Sequence, residues 1–155
     1  MSTRRSFMFA LAGAPFAAAA AGAGEKLPEI TIHKDPSCGC CQAWADRLGE
    51  AGFTYRIVET QELNRIKTQL GVPQRLASCH TAAIGGYVIE GHVPPAEIKR
   101  LMREKPNGRG LAVPGMPMNS PGMEVPGAAD EAYDVVLFGG GGDVVFARYE
   151  GSRRA

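Results

Sequence analysis

The alternation of strand-like and helix-like apolar spacing between residues 29 and 71 limits the possible folds most strongly. Residues 29–35 have the alternating pattern of a half-buried strand, and residues 41–48 then repeat apolar residues at helical spacing. A second such pair follows, with a strand over residues 53–59 and a helix over residues 60–70. Strands that alternate with helices in this way form parallel pairs joined by crossover helices, so the first half predicts an α/β fold.

The next segment adds two strands and a third helix. Residues 81–84 and 87–90 are apolar stretches separated by Gly85 and Gly86, the composition of a two-residue hairpin turn. A helix then starts at Pro94-Pro95, because proline is tolerated in a first helical turn. The resulting order, β-α-β-α-β-β-α, is that of the thioredoxin fold, in which a central mixed sheet has helices on both faces.

The last part of the chain predicts a long loop followed by a C-terminal hairpin. Residues 105–129 show no periodicity and are rich in methionine, proline and glycine, which is typical of a functional or mobile loop. Residues 134–138 and 144–149 have strand composition and are joined across the glycines at 139–142. We therefore expect this loop and hairpin to extend the thioredoxin-like core.

Four cysteines are the main candidates for a functional site. Cys38, Cys40 and Cys41 crowd the start of the first predicted helix, whereas Cys79 lies far along the chain. In the thioredoxin fold, the loop that enters the third strand packs against the N-terminus of the first helix. We therefore expect Cys79 within disulfide or shared-metal reach of the Cys38 loop, with a ring nitrogen of His80 pointing towards the same group.

The crowding of three thiols indicates reactive or metal-binding chemistry. We expect Ser37 to cap the helix, and thiols at a helix N-terminus are stabilised as thiolates by free backbone N–H groups. Structural bridges explain the pattern less well, because clustered thiols hardly constrain the unfolded chain. Cys38 and Cys41 have the C-x-x-C spacing of a redox disulfide, which remains an alternative. Cys40 would disturb such exchange, but adjacent thiols suit a site with more than one metal ion.

The ligand types favour copper among the soft metals. Thiolate sulfur selects Cu(I), zinc or iron–sulfur clusters, and thioether sulfur then favours Cu(I) over zinc. Three methionines lie close together in the long loop: Met116, Met118 and Met123. Their alternative role is to anchor that loop on the core. His80 is a candidate ligand or a support to one, whereas we expect His33 and His92 to be surface or capping residues.

The first 23 residues have the pattern of a removable secretion signal. Arg4 and Arg5 precede an apolar run over residues 7–21 that ends in small residues, which indicates the twin-arginine route. We therefore expect a periplasmic protein with one domain over residues 24–155. The chain has 17 Lys and Arg against 16 Asp and Glu. This balance gives no argument for nucleic acid binding, and no second apolar span argues for a membrane domain.

Five sequence blocks together resemble the CopG-type periplasmic copper proteins. They are residues 38–41 (C-G-C-C), 78–82 (S-C-H-T-A), 86–94 (G-Y-V-I-E-G-H-V-P), 115–118 (G-M-P-M) and 122–124 (G-M-E). The resemblance extends over residues 30–149. It implies a thioredoxin-like fold, copper bound by the C-x-C-C thiolates and a role in copper resistance. A copper oxidoreductase activity has been suggested for this family.

The leading hypothesis is a periplasmic copper-binding protein that holds Cu(I) on clustered thiolates and cycles it between Cu(I) and Cu(II). Its expected partners are copper ions and other periplasmic copper-handling proteins. The alternative is a periplasmic thiol–disulfide oxidoreductase, which the fold favours and which Cys40 and the methionine loop oppose. Four cysteines also suffice for an iron–sulfur electron carrier, although the C-x-C-C spacing differs from the usual ferredoxin runs.

Overall fold

The computed structural model of the chain describes residues 26–155, so the expected signal over residues 1–23 lies outside the described residues. Residues 26–155 contain three α-helices: α1 (Gly39–Glu50), α2 (Leu63–Leu70) and α3 (Pro95–Glu104). The same residues form eight strands: β1 (Ile30–Lys34), β2 (Tyr55–Glu59), β3 (His80–Ile84), β4 (Tyr87–Glu90), β5 (Gly110–Ala112), β6 (Ala132–Phe138), β7 (Val144–Glu150) and β8 (Arg153–Arg154). None of these helices has the length and apolar character needed to cross a membrane.

The strands of the described chain form one mixed sheet in the order β2-β1-β3-β4-β5-β6-β7-β8. Strand β1 runs parallel to β2 and antiparallel to β3, and β3 runs antiparallel to β4. With α1 after β1, α2 after β2 and α3 after β4, this is the thioredoxin arrangement. The predicted mixed α/β fold is therefore confirmed.

The sheet separates two apolar cores, because successive side chains of a strand point to opposite faces. Helices α1 and α3 cover one face, where the packed side chains include Ile30, Ile32, Trp44, Leu48, Ile98 and Leu101. Helix α2 lies on the other face, where Leu70 packs against a smaller cluster formed by Val72, Leu76, Val88, Ala112 and Phe138. Full burial of one such large side chain contributes about 1.5 to 3 kcal/mol, so both faces hold the sheet firmly in place.

Helix α1 begins at Gly39, and Cys38 is its N-cap residue. The prediction that Ser37 caps this helix is wrong, because Cys38 occupies the N-cap position and Ser37 lies one residue outside it. The Ser37 hydroxyl instead donates to Asp35 Oδ1 at 2.5 Å. Cys38 makes no side-chain capping hydrogen bond, so the first turn keeps backbone N–H groups without a side-chain partner there. The predicted apolar face of α1 is confirmed, and its buried members are Cys41, Trp44, Ala45 and Leu48.

The tight β3–β4 hairpin sets the pairing that matters most for the site. Gly85 and Gly86 adopt φ values of 53° and 88°, which suit a type I′ turn and confirm the predicted two-residue connection. The turn pairs Ile84 with Tyr87 and, further along, Thr81 with Glu90. The segment before β3 therefore lies beside the segment that follows β4.

The predicted loop over residues 105–129 is not free of regular structure throughout. Strand β5 lies within it, parallel to β4 and antiparallel to β6, and thereby joins the C-terminal hairpin to the core sheet. Its three residues are all buried and are too few to give a periodic signal. The hairpin itself is confirmed as β6 and β7, and the two-residue strand β8 was not predicted. The rest of the loop, residues 113–131, carries the methionines.

Candidate metal centre

The N-terminus of α1 supplies three of the four cysteines. Cys41 is fully buried, whereas Cys38 and Cys40 are partly exposed. Cys38 and Cys41 form a disulfide with their Cα atoms 5.4 Å apart, which is the alternative that the C-x-x-C spacing left open. Cys40 is a free thiol, and its Sγ lies 3.6 Å from that of Cys38.

The loop that enters β3 brings the fourth cysteine to the same place. Cys79 Sγ lies 3.9 Å from Cys40 Sγ, and Cys41 Sγ lies 3.7 Å from the Cys79 carbonyl oxygen. All four sulfur atoms lie within 4.8 Å of one another. The predicted approach of Cys79 to the Cys38 loop is thus confirmed as a sulfur–sulfur contact, while the disulfide joins Cys38 to Cys41.

Two buried histidines complete the centre on the side of Cys79. Its Sγ lies 3.2 Å from Nδ1 of His80 and 3.1 Å from Nε2 of His92. The expected orientation of His80 is confirmed, since its Nδ1 points towards the sulfur group, and its role as a ligand stays a prediction. The expectation that His92 is a surface or capping residue is wrong, because His92 is fully buried against Cys79. The hairpin register, continued two residues beyond Thr81 and Glu90, places positions 79 and 92 opposite each other and could have revealed this contact.

Hydrogen bonds and packing fix both imidazole rings. His92 Nδ1 lies 2.8 Å from the Pro121 carbonyl oxygen. That oxygen can only accept, so Nδ1 carries the proton and Nε2 presents a lone pair to Cys79. His80 packs against Trp44 with ring centroids 4.3 Å apart, and its buried Nε2 has no hydrogen-bond partner among the described residues. A buried polar atom of this kind fits a site that also binds something else.

Burial keeps these donors neutral in the protein without a cation. Burial, reinforced by Cys40, raises the pKa of the Cys79 thiol to about 12. Burial also lowers the pKa of His80 and of His92, so both rings are neutral imidazoles near pH 7. A metal cation favours the thiolate and binds neutral imidazole, so binding would release the Cys79 proton. Sulfur and imidazole nitrogen in one buried group suit copper or zinc.

A buried ion pair supports the loop from the opposite face of the sheet. Glu90 Oε1 accepts a hydrogen bond from the Ser78 backbone N–H at 2.6 Å and pairs with Lys67 Nζ at 2.5 Å. Thr81 bridges the two, because its hydroxyl donates to Glu90 and accepts from Lys67. The backbone directly before Cys79 is therefore tied to α2 and β4, which limits the freedom of the thiol.

The methionine loop closes over this end of the molecule. The Ser78 hydroxyl donates to the Gly115 carbonyl oxygen. Gly122 packs so closely on α1 that a Cβ there would lie 2.6 Å from the Trp44 backbone nitrogen. Met116 is 52% exposed, whereas Met118 and Met123 are partly buried. The loop thus lies beside the cysteines, and coordination by its thioether sulfurs stays a prediction.

His33 takes no part in this group. It follows Ile32 on β1 and pairs with Thr81 of β3, so its side chain points to the α2 face of the sheet. The groups of potential ligands found among residues 26–155 do not include it.

Comparison with known proteins agrees with the geometry. A family model described as a protein of unknown function, DUF411, matches residues 76–123, which include Cys79, His80 and His92. No curated protein gave a significant match. A solved structure of copper resistance protein CopG, form 2, is 43% identical with a TM-score of 0.75, over 81% of this chain and 99% of that one. Form 1 is 42% identical with a TM-score of 0.74, over 79% and 98% of the two chains.

These similarities extend beyond the fold, because they combine high sequence identity with nearly complete coverage of the CopG chain. They also fit the cysteine group, which is able to hold a metal. The expected resemblance is confirmed, and this chain belongs to the CopG family.

Proposed function

We propose that this protein binds copper in the periplasm and acts in copper resistance. The observation that carries the proposal is the group of four sulfur atoms, all within 4.8 Å of one another, which the fold assembles from two distant parts of the chain. The name of the CopG relatives, copper resistance protein, supports copper as the ion. The twin-arginine pattern supports export through the route that carries folded proteins.

Cu(I) is the form that the four sulfurs suit best. An external dithiol can reduce the Cys38–Cys41 disulfide: it supplies two electrons and two protons, becomes a disulfide itself and leaves two further thiols on this chain. Each bound Cu(I) then replaces thiol protons, and soft thiolates prefer Cu(I). Adjacent residues such as Cys40 and Cys41 do not easily chelate a single ion, so thiolates that bridge more than one copper ion are expected. Met116, Met118 and Met123 are proposed as auxiliary thioether ligands.

The test is an anaerobic Cu(I) titration of the fully reduced protein against a competing Cu(I) chelator. The proposal predicts that each chain binds more than one Cu(I). Saturation at one ion would rule out the bridged cluster but leave copper binding in place. Failure to compete for any Cu(I) would contradict the proposed function.

The Cys38–Cys41 disulfide favours a second candidate function, a thiol–disulfide oxidoreductase. It lies at the N-terminus of α1, where a thioredoxin fold presents its C-x-x-C pair. The free thiol of Cys40 lies 3.6 Å from Cys38 Sγ and would compete in any exchange reaction. Rapid reduction of insulin disulfides at a rate that copper does not change would favour this second function.

A further inference from the structure

The centre contains a second group of donor atoms that shares only Cys79 with the four sulfurs. This group consists of Cys79, His80 and His92, and its ligand atoms lie within 4.8 Å of one another. The sulfur–nitrogen distances are 3.2 Å to His80 and 3.1 Å to His92. Ligands of one ion with bonds of about 2.0 to 2.3 Å lie at most roughly 4.5 Å apart, so both contacts are short enough to share an ion.

Both imidazoles are already arranged as ligands. His92 donates its Nδ1 proton to the Pro121 carbonyl oxygen, which is the usual support for a histidine that binds metal through Nε2. His80 is fully buried, presents Nδ1 to Cys79 at 3.2 Å and packs against Trp44, which fixes its ring. The buried hydrogen bond from Trp44 Nε1 to the Val93 carbonyl oxygen, 2.9 Å long, holds the segment after His92 against α1.

The disulfide separates the two groups chemically. While Cys38 and Cys41 are joined, their sulfurs cannot act as thiolate ligands, yet Cys79, His80 and His92 remain unchanged. One thiolate with two imidazoles is a donor set for copper that differs from an all-sulfur set, because imidazole also suits Cu(II).

We propose that Cys79, His80 and His92 form a mixed sulfur–nitrogen site for one metal ion, which stays available when the Cys38–Cys41 disulfide is present. The identity of that ion as copper rests on the proposed function, whereas the existence of the site does not. The oxidised protein therefore retains one bound ion, and reduction adds the thiolates of the larger cluster.

The Cys40→Ser variant in its disulfide form isolates this site. The chain has four cysteines, so Cys79 is then the sole thiol and cannot form a second bridge within the chain. Co(II) is the probe, because a thiolate does not reduce it. One Co(II) per chain is expected, with a sulfur-to-cobalt charge-transfer band and the intense visible bands of tetrahedral cobalt. Absence of the charge-transfer band would overturn the proposal.

A second substitution in the same background identifies the nitrogen ligands. Addition of His92→Gln is expected to weaken Co(II) binding about 100-fold or more, since even supporting residues of a metal site contribute 10- to 100-fold. The matched control is His33→Gln, which changes a histidine outside the group and is expected to leave the affinity unchanged. Equal affinities for these two variants would contradict the assignment.

Proton NMR of the Co(II) form gives a readout that needs no histidine substitution. Two sets of imidazole signals with large paramagnetic shifts are expected, one of them containing the exchangeable Nδ1 proton of His92. No shifted imidazole signal would overturn the site even if His92→Gln fails to fold. The Cu(I) titration of reduced protein tests the proposed function separately, because four thiolates bind Cu(I) without His92.

Discussion

At the scale of single residues, Cys40 distinguishes the two candidate functions. Its sulfur contacts those of both Cys38 and Cys79, at 3.6 Å and 3.9 Å. A bridging thiolate would need this position, whereas a C-x-x-C redox pair would not. We therefore expect Cys40 to matter for copper binding and to be dispensable for disulfide exchange.

Cys40→Ser is expected to lower the number of Cu(I) ions bound by the reduced protein, because it removes the thiolate that contacts the sulfurs of both Cys38 and Cys79. The Cys38–Cys41 pair remains, so any insulin reductase activity is expected to change little. Both quantities are measured on the same preparation, with Ser37→Ala as a control beside the cluster. Unchanged Cu(I) stoichiometry together with lost reductase activity would reverse the assignment.

Residue type predicted part of the site, whereas the position of His92 in it depends on the pairing of β3 with β4. The four cysteines and His80 follow from residue type and the expected fold. His92 was not predicted as a site residue, because a lone histidine after a strand is usually a surface residue. The Gly85-Gly86 turn nevertheless implied its position opposite Cys79. The predicted Ser37 cap is wrong because the helix begins one residue later than expected, at Gly39, which makes Cys38 the N-cap residue.

At the scale of elements, the position of the methionine loop, residues 113–131, depends on the close packing of Gly122 against the backbone of α1. Gly122 has φ 86°, and a Cβ there would lie 2.6 Å from Trp44 N and 3.0 Å from the Cys40 carbonyl oxygen. The preceding residue, Pro121, holds the His92 ring through its carbonyl oxygen. Packing of this loop therefore also controls the orientation of a site residue.

Gly122→Ala is expected to destabilise the protein by about 1 to 3 kcal/mol more than Gly127→Ala, measured by urea denaturation. Gly127 has nearly the same φ, 81°, but open space around its missing Cβ, so it controls for backbone strain alone. Gly122→Ala should also weaken Co(II) binding through displacement of Pro121. Equal stability of the two variants would show that the loop does not pack tightly on α1.

At the scale of the whole molecule, the order of elements was enough to predict the thioredoxin-like core. Alternation identifies β1, residue composition identifies β2, and apolar stretches on either side of a glycine turn identify β3 and β4. Helical spacing identifies the three helices, and the parallel and antiparallel pairs then follow from the thioredoxin order. Strand β5 was missed because three buried residues carry no period. Its pairing is decided by distant partners, β4 and β6, which local sequence does not specify.

The stability of the metal-free protein should fall as the pH is lowered from about 7.5 to 5.5. Burial lowers the pKa of His80 and of His92 below its ordinary value in the folded protein, so the unfolded chain binds more protons in this range. Each such histidine contributes a slope of up to about 1.4 kcal/mol per pH unit. Urea denaturation at several pH values in this range should show that the free energy of unfolding changes less with pH in His92→Gln than in the unsubstituted protein. An identical change with pH in the two proteins would contradict a buried neutral imidazole at position 92.

X-ray absorption at the copper K-edge of the reduced, Cu(I)-loaded protein shows directly which atoms bind the copper ions. We expect a first shell dominated by sulfur and a copper–copper distance, because the thiolates of Cys38, Cys40, Cys41 and Cys79 are proposed to surround the ions. Cys79→Ser should lower the sulfur count and weaken the copper–copper signal. A first shell of nitrogen and oxygen, or a spectrum that Cys79→Ser does not alter, would contradict a copper centre built from both parts of the chain.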